Sequence, residues 1–296
     1  MEAKKSFNFK QLPRQKEYSS IHYTKLLEIV KYFSTILCFF ILFLSFLCYN
    51  NCMFTNFNFK KIDKKIAVLN SYRPLSSTEL KSLKKAINLE WTYNSNGIEG
   101  NTLTLKETKV VLEGITVGGK TLKEHLEAIN HKKAIEYLDS LINSELTEFN
   151  IKELHQLILK GIDDENAGRY RLSNVTISGA IHKPPDYTKV SELMEKLLVD
   201  YKSWSQFHPI IKSSLLHIEL VGIHPFVDGN GRTSRLLMNL ELMKSGYVPV
   251  IIRKADRLKY YEVLDIAHTT GNYEKFVELI AALENEMLDR YIKTMG

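Results

Sequence analysis

The residues of this chain that are best suited to chemistry lie together in residues 224–235, with the sequence HPFVDGNGRTSR. The imidazole of His224 can act as a general base near neutral pH. Asp228 offers the hard oxygen ligand that Mg²⁺ prefers. The glycines on either side of Asn230 can turn successive backbone N–H groups toward an anion. These residue types predict a site that binds phosphate groups.

Two arginines extend the same pattern. Arg232 and Arg235 are three residues apart and share one face of a helix that we expect to begin near Arg232. Two guanidiniums suit phosphate oxygens, and the N-terminal dipole of that helix favours the same anion. Pro225 is expected to end the preceding apolar helix. Together these features predict phosphate transfer, whereas a simple Gly-Asn-Gly cap on a surface helix leaves their convergence unexplained.

Two other stretches resemble ligand sites but fit them poorly. Residues 114–121 match the phosphate-loop pattern G-x-x-x-x-G-K-[ST]. That loop follows a strand, whereas Thr104 and Glu107 form a capping-box signature that predicts a helix just before it. His217 and Glu219, even taken with the histidine of residues 224–235, fit no zinc spacing. We therefore expect a turn between helices at residues 114–121 and a helical position for His217.

Composition narrows the class of protein. The chain has 296 residues, a formal net charge of +6 and 44% hydrophobic residues, which excludes bulk disorder. No basic block interleaved with aromatic residues stands out, so we predict no nucleic-acid partner. Cys38, Cys48 and Cys52 lie in or beside one apolar run, and no cysteine follows Met53. A disulfide scaffold, a Cys-ligated zinc site and a thiol nucleophile are therefore excluded for the main body.

The apolar run predicts a membrane anchor. No charged residue occurs from Tyr32 to Phe59, and the 18 residues from Tyr32 to Tyr49 would span about 27 Å as a helix, the thickness of the hydrocarbon layer. A buried core helix is the alternative. A cleaved signal peptide is disfavoured, because about 31 residues precede the run and no small-residue cleavage site follows it. The basic residues before the run modestly favour a cytoplasmic N-terminus.

The remainder of the chain reads as almost entirely helical. From about Ser77 onward, apolar residues recur at helical spacing in nearly every segment. Only residues 175–178 and 248–252 resemble short strands. The predicted fold class is all-α, with a small β-hairpin near residues 175–187.

Residues 224–235 resemble the signature of the Fic-domain family, H-x-F-x-[DE]-G-N-G-R-x-x-R, with every defining position filled. The resemblance covers the chain roughly from Leu75 to Tyr291. It implies a compact helical core with a β-hairpin flap. It also implies an enzyme that transfers AMP from ATP, with Mg²⁺ or Mn²⁺, to a Ser, Thr or Tyr hydroxyl of a target protein.

The resemblance also assigns roles to residues. His224 would deprotonate the target hydroxyl, Asp228 would hold the metal ion, and Arg235 would take the γ-phosphate. The other implied positions are the phosphate-binding Gly229, Asn230, Gly231 and Arg232, the adenine pocket of Tyr260, Tyr261 and His268, and the target-docking flap of Val175, Thr176, Ile177, Ser178 and Gly179. At His268 relatives carry an asparagine.

A second motif lies upstream, where Ser95, Glu99 and Gly100 fill the pattern [ST]-x-x-x-E-[GN]. It resembles the family's inhibitory helix, placed here at about residues 90–101. The resemblance implies that Glu99 pairs with Arg235 in the γ-phosphate position, and that it can also position a water to remove AMP from a modified target. The alternative is a turn at residues 94–97 with a solvated Glu99.

The apolar run beside this core is similar to the anchor of the endoplasmic-reticulum (ER) members of the family. That likeness implies a single-pass type II ER membrane protein with a lumenal Fic domain, the ER chaperone BiP as target, a homodimer through Leu122, and a glycan at Asn174. The implied divisions are a cytoplasmic tail at 1–31, an anchor at 32–52, a linker at 53–76 and the Fic domain at 77–296. The tetratricopeptide repeats of those members do not fit between Asn50 and Glu90.

Two alternative functions stay open. A Fic protein can transfer another phosphate-linked group, such as UMP or phosphocholine, because the signature does not fix the donor. A membrane-tethered protein that binds nucleotide or chaperone without catalysis is the other alternative.

Overall fold

The computed structural model describes Phe54, residues 57–72 and residues 78–295. The chain divides into two units, residues 1–57 and residues 58–296. The predicted tail at 1–31 and the predicted anchor at 32–52 lie outside the described residues. Among the residues that are described, no helix combines the length and the apolar character needed to cross a membrane.

Ten α-helices and three short 3₁₀ turns make up the regular structure of the described residues, which contain no strand. The helices are α1 Lys60–Ser71, α2 Thr78–Ile98, α3 Leu105–Leu112, α4 Leu122–Leu141, α5 Glu148–Leu159, α6 Val190–Ser203, α7 Pro209–Ile223, α8 Asn230–Lys244, α9 Arg257–Thr270 and α10 Glu274–Met295. The predicted all-α class is confirmed for this part of the chain.

Capping boxes begin three of these helices. Thr104 and Glu107 cap α3 as predicted, and Thr121 and Glu124 cap α4 in the same way. α5 uses Thr147 with an asparagine in place of the glutamate. Residues 114–121 are therefore a connection between two helices, as expected. The Lys120 ammonium donates to the carbonyl oxygen and hydroxyl of Thr102 at 2.9 and 3.0 Å.

The centre of the core is the helix pair α7 and α8. Most residues of both helices are buried, because α7 packs against α6, α8, α9 and α10, and α8 packs against α2, α4, α5 and α7. The short connection between α7 and α8, residues 224–229, is thus fixed at both ends by buried helices. It contains His224, Asp228 and Gly229, three of the residues that we expect to carry the chemistry.

The predicted linker at 53–76 contains α1. Ile62 and Leu69, seven residues apart on one helix face, are buried, and α1 packs along α10. Lys65 donates to the side-chain oxygen of Asn285 at 2.8 Å and pairs with Asp289 at 2.5 Å. The second unit therefore begins at residue 58, before α1, whereas the sequence places the start of the Fic domain at residue 77.

The predicted hairpin at residues 175–187 is not formed. The Ala180 N–H bonds to the Ile177 carbonyl in a turn, and the Ile181 N–H donates to the Asp265 carboxylate of α9 at 3.1 Å. These N–H groups therefore bond within a turn or to a side chain, and not to a second strand. Pro184 and Pro185 have no N–H to offer a ladder. The segment, called the flap below, is an irregular loop.

Residues 248–252 are likewise not a strand. The side chain of the fully buried Asn239 accepts from the Val250 N–H and donates to the Val250 carbonyl, both at 2.9 Å. The Val248 N–H donates to Glu284 at 3.1 Å. Two helix side chains thus take the place of the neighbouring strand that this β-branched stretch would otherwise need.

Candidate active site

The connection from α7 to α8 turns sharply at both of its ends. His224 follows the last residue of α7 with φ of 50°, and its N–H donates to the Leu220 carbonyl at 3.0 Å. Pro225 then prevents the helix from continuing. Gly229 has φ of 78°, in the left-handed region that glycine adopts freely, and α8 begins at Asn230. That start is two residues earlier than the sequence predicts.

Side chains hold this connection in shape. Asn230 accepts from the Phe226 N–H and donates to the Phe226 carbonyl, both at 2.9 Å. Phe226 is fully buried and stacks on His155 at 3.7 Å. His155 donates from Nε2 to the Asp228 carbonyl at 2.8 Å and accepts the Gly168 N–H at Nδ1. Burial lowers the pKa of His155 to about 4, so its ring stays neutral in this role.

Arg171 joins the same connection to the flap. Its buried guanidinium donates to the carbonyls of His224 at 2.9 Å, Ser173 at 3.0 Å and Pro185 at 2.6 Å. A planar group with several donors suits this set of backbone acceptors. Arg171 therefore fixes the backbone of His224 relative to the loop that covers it.

His224 is a neutral imidazole at physiological pH. Burial lowers its pKa to about 4, the Arg171 cation acts in the same direction, and the Val221 carbonyl and the Glu99 carboxylate oppose them. A neutral ring can accept a proton from a hydroxyl. The structure therefore supplies the protonation state that a general base requires.

Asp228 and Arg232 form a charged pair at the start of α8. Burial opposes ionisation of Asp228, but the Arg232 guanidinium and the Gly229 N–H more than offset it, so the pKa of the carboxyl is lowered. Arg232 itself is buried, at 3.3 Å from Asp228 and 3.2 Å from Glu127. The Asp228 carboxylate is half exposed and ionised at neutral pH, which suits a hard cation.

Glu99 and Arg235 form an ion pair, with 2.7 Å between Glu99 Oε1 and Arg235 Nη2. The buried guanidinium of Arg235 also donates to the Ser95 carbonyl at 2.9 Å and the Ser95 hydroxyl at 3.1 Å. Burial opposes the charge on Arg235, but the Glu99 carboxylate more than offsets it and raises the pKa. A Cβ on Gly231 would overlap the Glu99 carboxylate, so this approach depends on glycine.

The location of Glu99 differs from the alternative raised by the sequence. Residues 94–97 belong to α2 and are not a turn, and the Glu99 side chain is only 30% exposed. The predicted helix at 90–101 is too long at its end. α2 stops at Ile98, and Glu99 lies in the turn that follows, where its N–H bonds to the Asn96 carbonyl.

A cavity of about 290 Å³ brings the predicted catalytic residues together. His224, Asp228, Arg235 and Glu99 all lie on its wall. The same wall contains Gly229, Asn230 and Gly231 from the start of α8, Thr176, Ile177, Ser178 and Gly179 from the flap, and Tyr260, Tyr261 and His268 from α9. Val175 and Arg232 are not part of it, so contact of Arg232 with phosphate stays a prediction.

The predicted adenine residues have partners within the protein. Tyr260 is buried behind Arg235 and shares a hydrogen bond of 2.8 Å with His217 Nε2. Tyr261 donates to the Ile98 carbonyl at 3.3 Å. His268 donates from Nε2 to the Ile218 carbonyl at 2.9 Å, and its ring lies 4.5 Å from that of His182. Contact of these rings with a purine stays a prediction.

Two further predicted positions lie elsewhere. Leu122 opens α4, is 74% exposed and lines one surface depression together with the exposed Ile115. Asn174 is exposed, and its side chain bonds to the Asp186 carboxylate at 2.9 Å and to the Tyr187 N–H. Dimer contact and glycosylation stay predictions.

His155, Arg171 and Glu127 are the site residues that sequence reasoning missed. Each is buried and contacts the 224–235 region from a distant part of the chain. No spacing pattern in the sequence indicates these partners, two of which are backbone carbonyls and one a distant arginine. The contacts of His155 and Glu127 follow from the packing of α5 and α4 against α8, and that of Arg171 from the loop after α5.

Comparison with known proteins gives consistent matches. The profile of the Fic/DOC family matches residues 145–242. Curated relatives named "Protein adenylyltransferase Fic" include one from Drosophila willistoni, 40% identical over 78% of this chain and 47% of the relative, and one from Aedes aegypti, 38% identical over 79% and 47%. The chain thus spans about half the length of the curated relatives it matches.

Solved structures share the fold. A Fic domain containing signaling protein from Bacteroides thetaiotaomicron superposes with a TM-score of 0.73 at 29% identity, covering 79% of this chain and 96% of that one. Fic-1 from C. elegans superposes with a TM-score of 0.70 at 32% identity, covering 80% and 72%.

Proposed function

The chain belongs to the Fic/DOC family, and from that premise we propose that it transfers AMP from ATP to a Ser, Thr or Tyr hydroxyl of a protein. The curated relatives are named for this activity. The observation that carries the proposal is the neutral His224 on the same cavity wall as the Asp228 carboxylate and the Arg235 guanidinium. A neutral imidazole, a carboxylate and a guanidinium, the three groups that this reaction calls for, thereby line one space.

The residues divide the reaction between them. His224 accepts the proton of the target hydroxyl, whose oxygen forms a bond to the α-phosphorus of ATP while the bond to the β-phosphate oxygen breaks and pyrophosphate leaves. The ionised Asp228 is the residue that would hold Mg²⁺ or Mn²⁺, which neutralises phosphate charge when bound. Backbone N–H groups at the start of α8 and Arg235 orient the phosphates.

We propose that Glu99 inhibits this reaction in the resting protein. Its carboxylate forms an ion pair with the guanidinium of Arg235, which would otherwise bind the terminal phosphate. Like charges repel, so a γ-phosphate cannot take the same position while Glu99 stays. A carboxylate on this wall can also orient a water toward an AMP-protein bond, and we extend the proposal to removal of AMP. Glu99 accepts a proton from the water, whose oxygen forms a bond to phosphorus while the bond to the target oxygen breaks. His224, once it has gained a proton, gives that proton to the leaving oxygen.

Location and partners form a further part of the proposal. The apolar run at residues 32–52 supports a single-pass type II anchor in the ER membrane, with the Fic domain in the lumen and BiP as target. Exposed Leu122 and Ile115 beside a shallow apolar surface of α3 and α4 support a homodimer contact. The sequon at Asn174 would report lumenal exposure if it carries a glycan.

The test uses ATP labelled at the α-phosphate. Wild type, Glu99→Gly and Glu99→Gly/His224→Ala are compared for label on the chain itself and on purified BiP. Release of Arg235 should raise transfer by about tenfold or more in Glu99→Gly, within the usual range of coupling between sites. Loss of the base should then lower transfer by about 10² or more.

The matched control is Glu165→Gly, which removes a carboxylate from an exposed loop. It should leave transfer at the wild-type level. Equal transfer in Glu99→Gly and the double variant would refute His224 as the base. Absence of label in every variant, with ATP still bound, would reject AMP transfer and point to another phosphate-linked donor or a binding role.

A further inference from the structure

The turn that presents Glu99 is held from outside α2. The N–H groups of residues 99 and 101 both bond to the Asn96 carbonyl, and that of Gly100 bonds to the Gly97 carbonyl. The carbonyl of Ile98, the last residue of α2, accepts a hydrogen bond from the Tyr261 hydroxyl of α9 at 3.3 Å. Ends of helices leave such carbonyls unpaired, so a partner from another element fixes where the chain goes next.

Lys254 contacts this turn on both sides of Glu99. Its aliphatic stem lies so close to Gly97, two residues before Glu99, that a Cβ there would meet Lys254 Cδ at 2.7 Å. Its ammonium donates to the carbonyl of Asn101, two residues after Glu99, at 3.1 Å. Its backbone N–H donates to the Asn94 side chain at 2.9 Å, one turn earlier on α2.

A second set of contacts joins the turn to α4. Asn96 donates to the Glu127 carbonyl at 3.1 Å, and Asn101 donates to the Glu127 carboxylate at 2.8 Å. The turn is therefore bonded both to α4 and to Lys254. The bonds to α4 are made by the neutral side-chain amides of Asn96 and Asn101. The ammonium of Lys254, by contrast, is charged and lies at the negative end of the α2 dipole.

We propose that Lys254 is a positioning residue that keeps the Glu99 turn over Arg235. This inference rests on the proposed inhibitory role of Glu99 and names the side chain that maintains it. Loss of the ammonium leaves the Asn101 carbonyl without this donor and lets the turn move away from Arg235. Glu99 then leaves Arg235 for a larger fraction of the time, and the guanidinium becomes free for a terminal phosphate.

The experiment compares three substitutions in the purified full chain. Lys254→Met keeps an aliphatic stem near Gly97 and removes the charge. Lys254→Ala removes both, and Lys259→Met is the control, because Lys259 is an exposed lysine five residues along the chain. Two quantities are measured: label from α-phosphate-labelled ATP on the chain itself, and hydrogen exchange at the amides of residues 99–101.

Lys254→Met should speed exchange at residues 99–101 and raise AMP transfer by about tenfold, the fold-change expected for one charged hydrogen bond. Lys259→Met should change neither quantity. In a Glu99→Gly background, Lys254→Met should add no further increase. Unchanged exchange at these amides, or the same increase in transfer with and without Glu99, would overturn the role of Lys254.

Failure of the proposed function is separable from failure of this inference. If Glu99→Gly transfers AMP no faster than wild type, the inhibitory role of Glu99 is refuted. The exchange rates then still decide whether Lys254 holds the turn, because they do not depend on transfer.

Gly97→Ala gives a second test with an opposite sign. Alanine is the better helix former, so propensity alone predicts a firmer end of α2 and less transfer. The new Cβ would instead displace the Lys254 stem. The role of Lys254 therefore predicts more transfer and faster exchange, and a decrease in both would contradict it.

Discussion

At the scale of single residues, His224 combines backbone strain with an altered charge state. It is the only non-glycine residue with positive φ among the described residues. Such conformations cost free energy and persist where surrounding contacts impose them. Here the contacts are the Leu220 carbonyl, Pro225 and the Arg171 guanidinium on the His224 carbonyl. The strained turn directs the ring into the cavity, and burial keeps it neutral.

The pH dependence of transfer tests this account of His224. The profile of kcat/KM reports the ionisation of the free enzyme, and the base is active when unprotonated. With a pKa of about 4 for His224, kcat/KM of the Glu99→Gly chain should stay level from pH 8 to about 5 and fall only as the pH drops through about 4. Removal of Glu99 does not raise this midpoint, because Glu99 itself raises the pKa of His224. A midpoint near the ordinary value of 6.5, in protein shown by circular dichroism to be folded, would contradict a buried base.

The sequence was most informative where a residue type carries its own chemistry. His224, Asp228, Arg235 and Glu99 were predicted, and the structure brings all four to one cavity. His155 and Arg171 were not predicted, because they act on backbone carbonyls of the 224–229 connection and the 224–235 motif does not include them. Their positions follow from tertiary packing, which sequence spacing does not encode.

At the scale of elements, helices were predicted well and strands were not. Helical periodicity and capping boxes depend on residues at most four positions apart, so they can be recognised in the sequence. A strand depends on a distant partner for its hydrogen bonds. At residues 175–187 and 248–252 the β-branched residues predicted strands. Side chains of α8, α9 and α10 instead accept hydrogen bonds from the backbone N–H groups of these segments. The helix α1 was not predicted, because only Ile62 and Leu69 form its buried face and its many lysines are typical of a linker.

Asn239 offers a test of this replacement at the same scale. Asn239→Ala leaves the buried N–H and carbonyl of Val250 without a partner, and each such group costs about 1–3 kcal/mol. The free energy of unfolding should therefore fall by about 2–4 kcal/mol, measured by urea denaturation followed by circular dichroism. Asn143→Ala, in an exposed position after α4, is the control and should change stability by less than about 0.5 kcal/mol. A loss no larger than that of the control would show that residues 248–252 do not depend on Asn239.

At the scale of the whole molecule, the core tolerates ionisable groups by pairing them, by holding them neutral or, at Arg171, by surrounding the cation with backbone carbonyls. Arg235 and Arg232 are paired with Glu99 and Glu127, and the first of these pairs lines the cavity. His131 and His217 are neutral, because burial lowers the pKa of each to about 3 and the Arg235 charge acts in the same direction. Glu284 is also held neutral, but as an acid, so burial raises its pKa instead of lowering it. It is fully buried on α10, has no cation among its hydrogen-bond partners in the described residues, and accepts from the Val248 N–H.

The buried carboxyl of Glu284 should therefore make the free energy of unfolding of the whole domain depend on pH. Burial raises its pKa from 4.5 to about 8, against the opposing Val248 hydrogen bond. Between these two values the native protein binds more protons at this position than the unfolded chain does, so the free energy of unfolding falls as the pH rises, by up to about 1.4 kcal/mol per pH unit.

Glu284→Gln keeps a neutral side chain of the same shape at every pH. It should match wild type near pH 4.5 and become progressively more stable than wild type toward pH 8, measured by urea denaturation at each pH. Glu278→Gln, at an exposed position of the same helix, should follow the wild-type curve. Parallel curves for wild type and Glu284→Gln would mean that the Glu284 carboxyl ionises normally, and that α10 reaches water at this point.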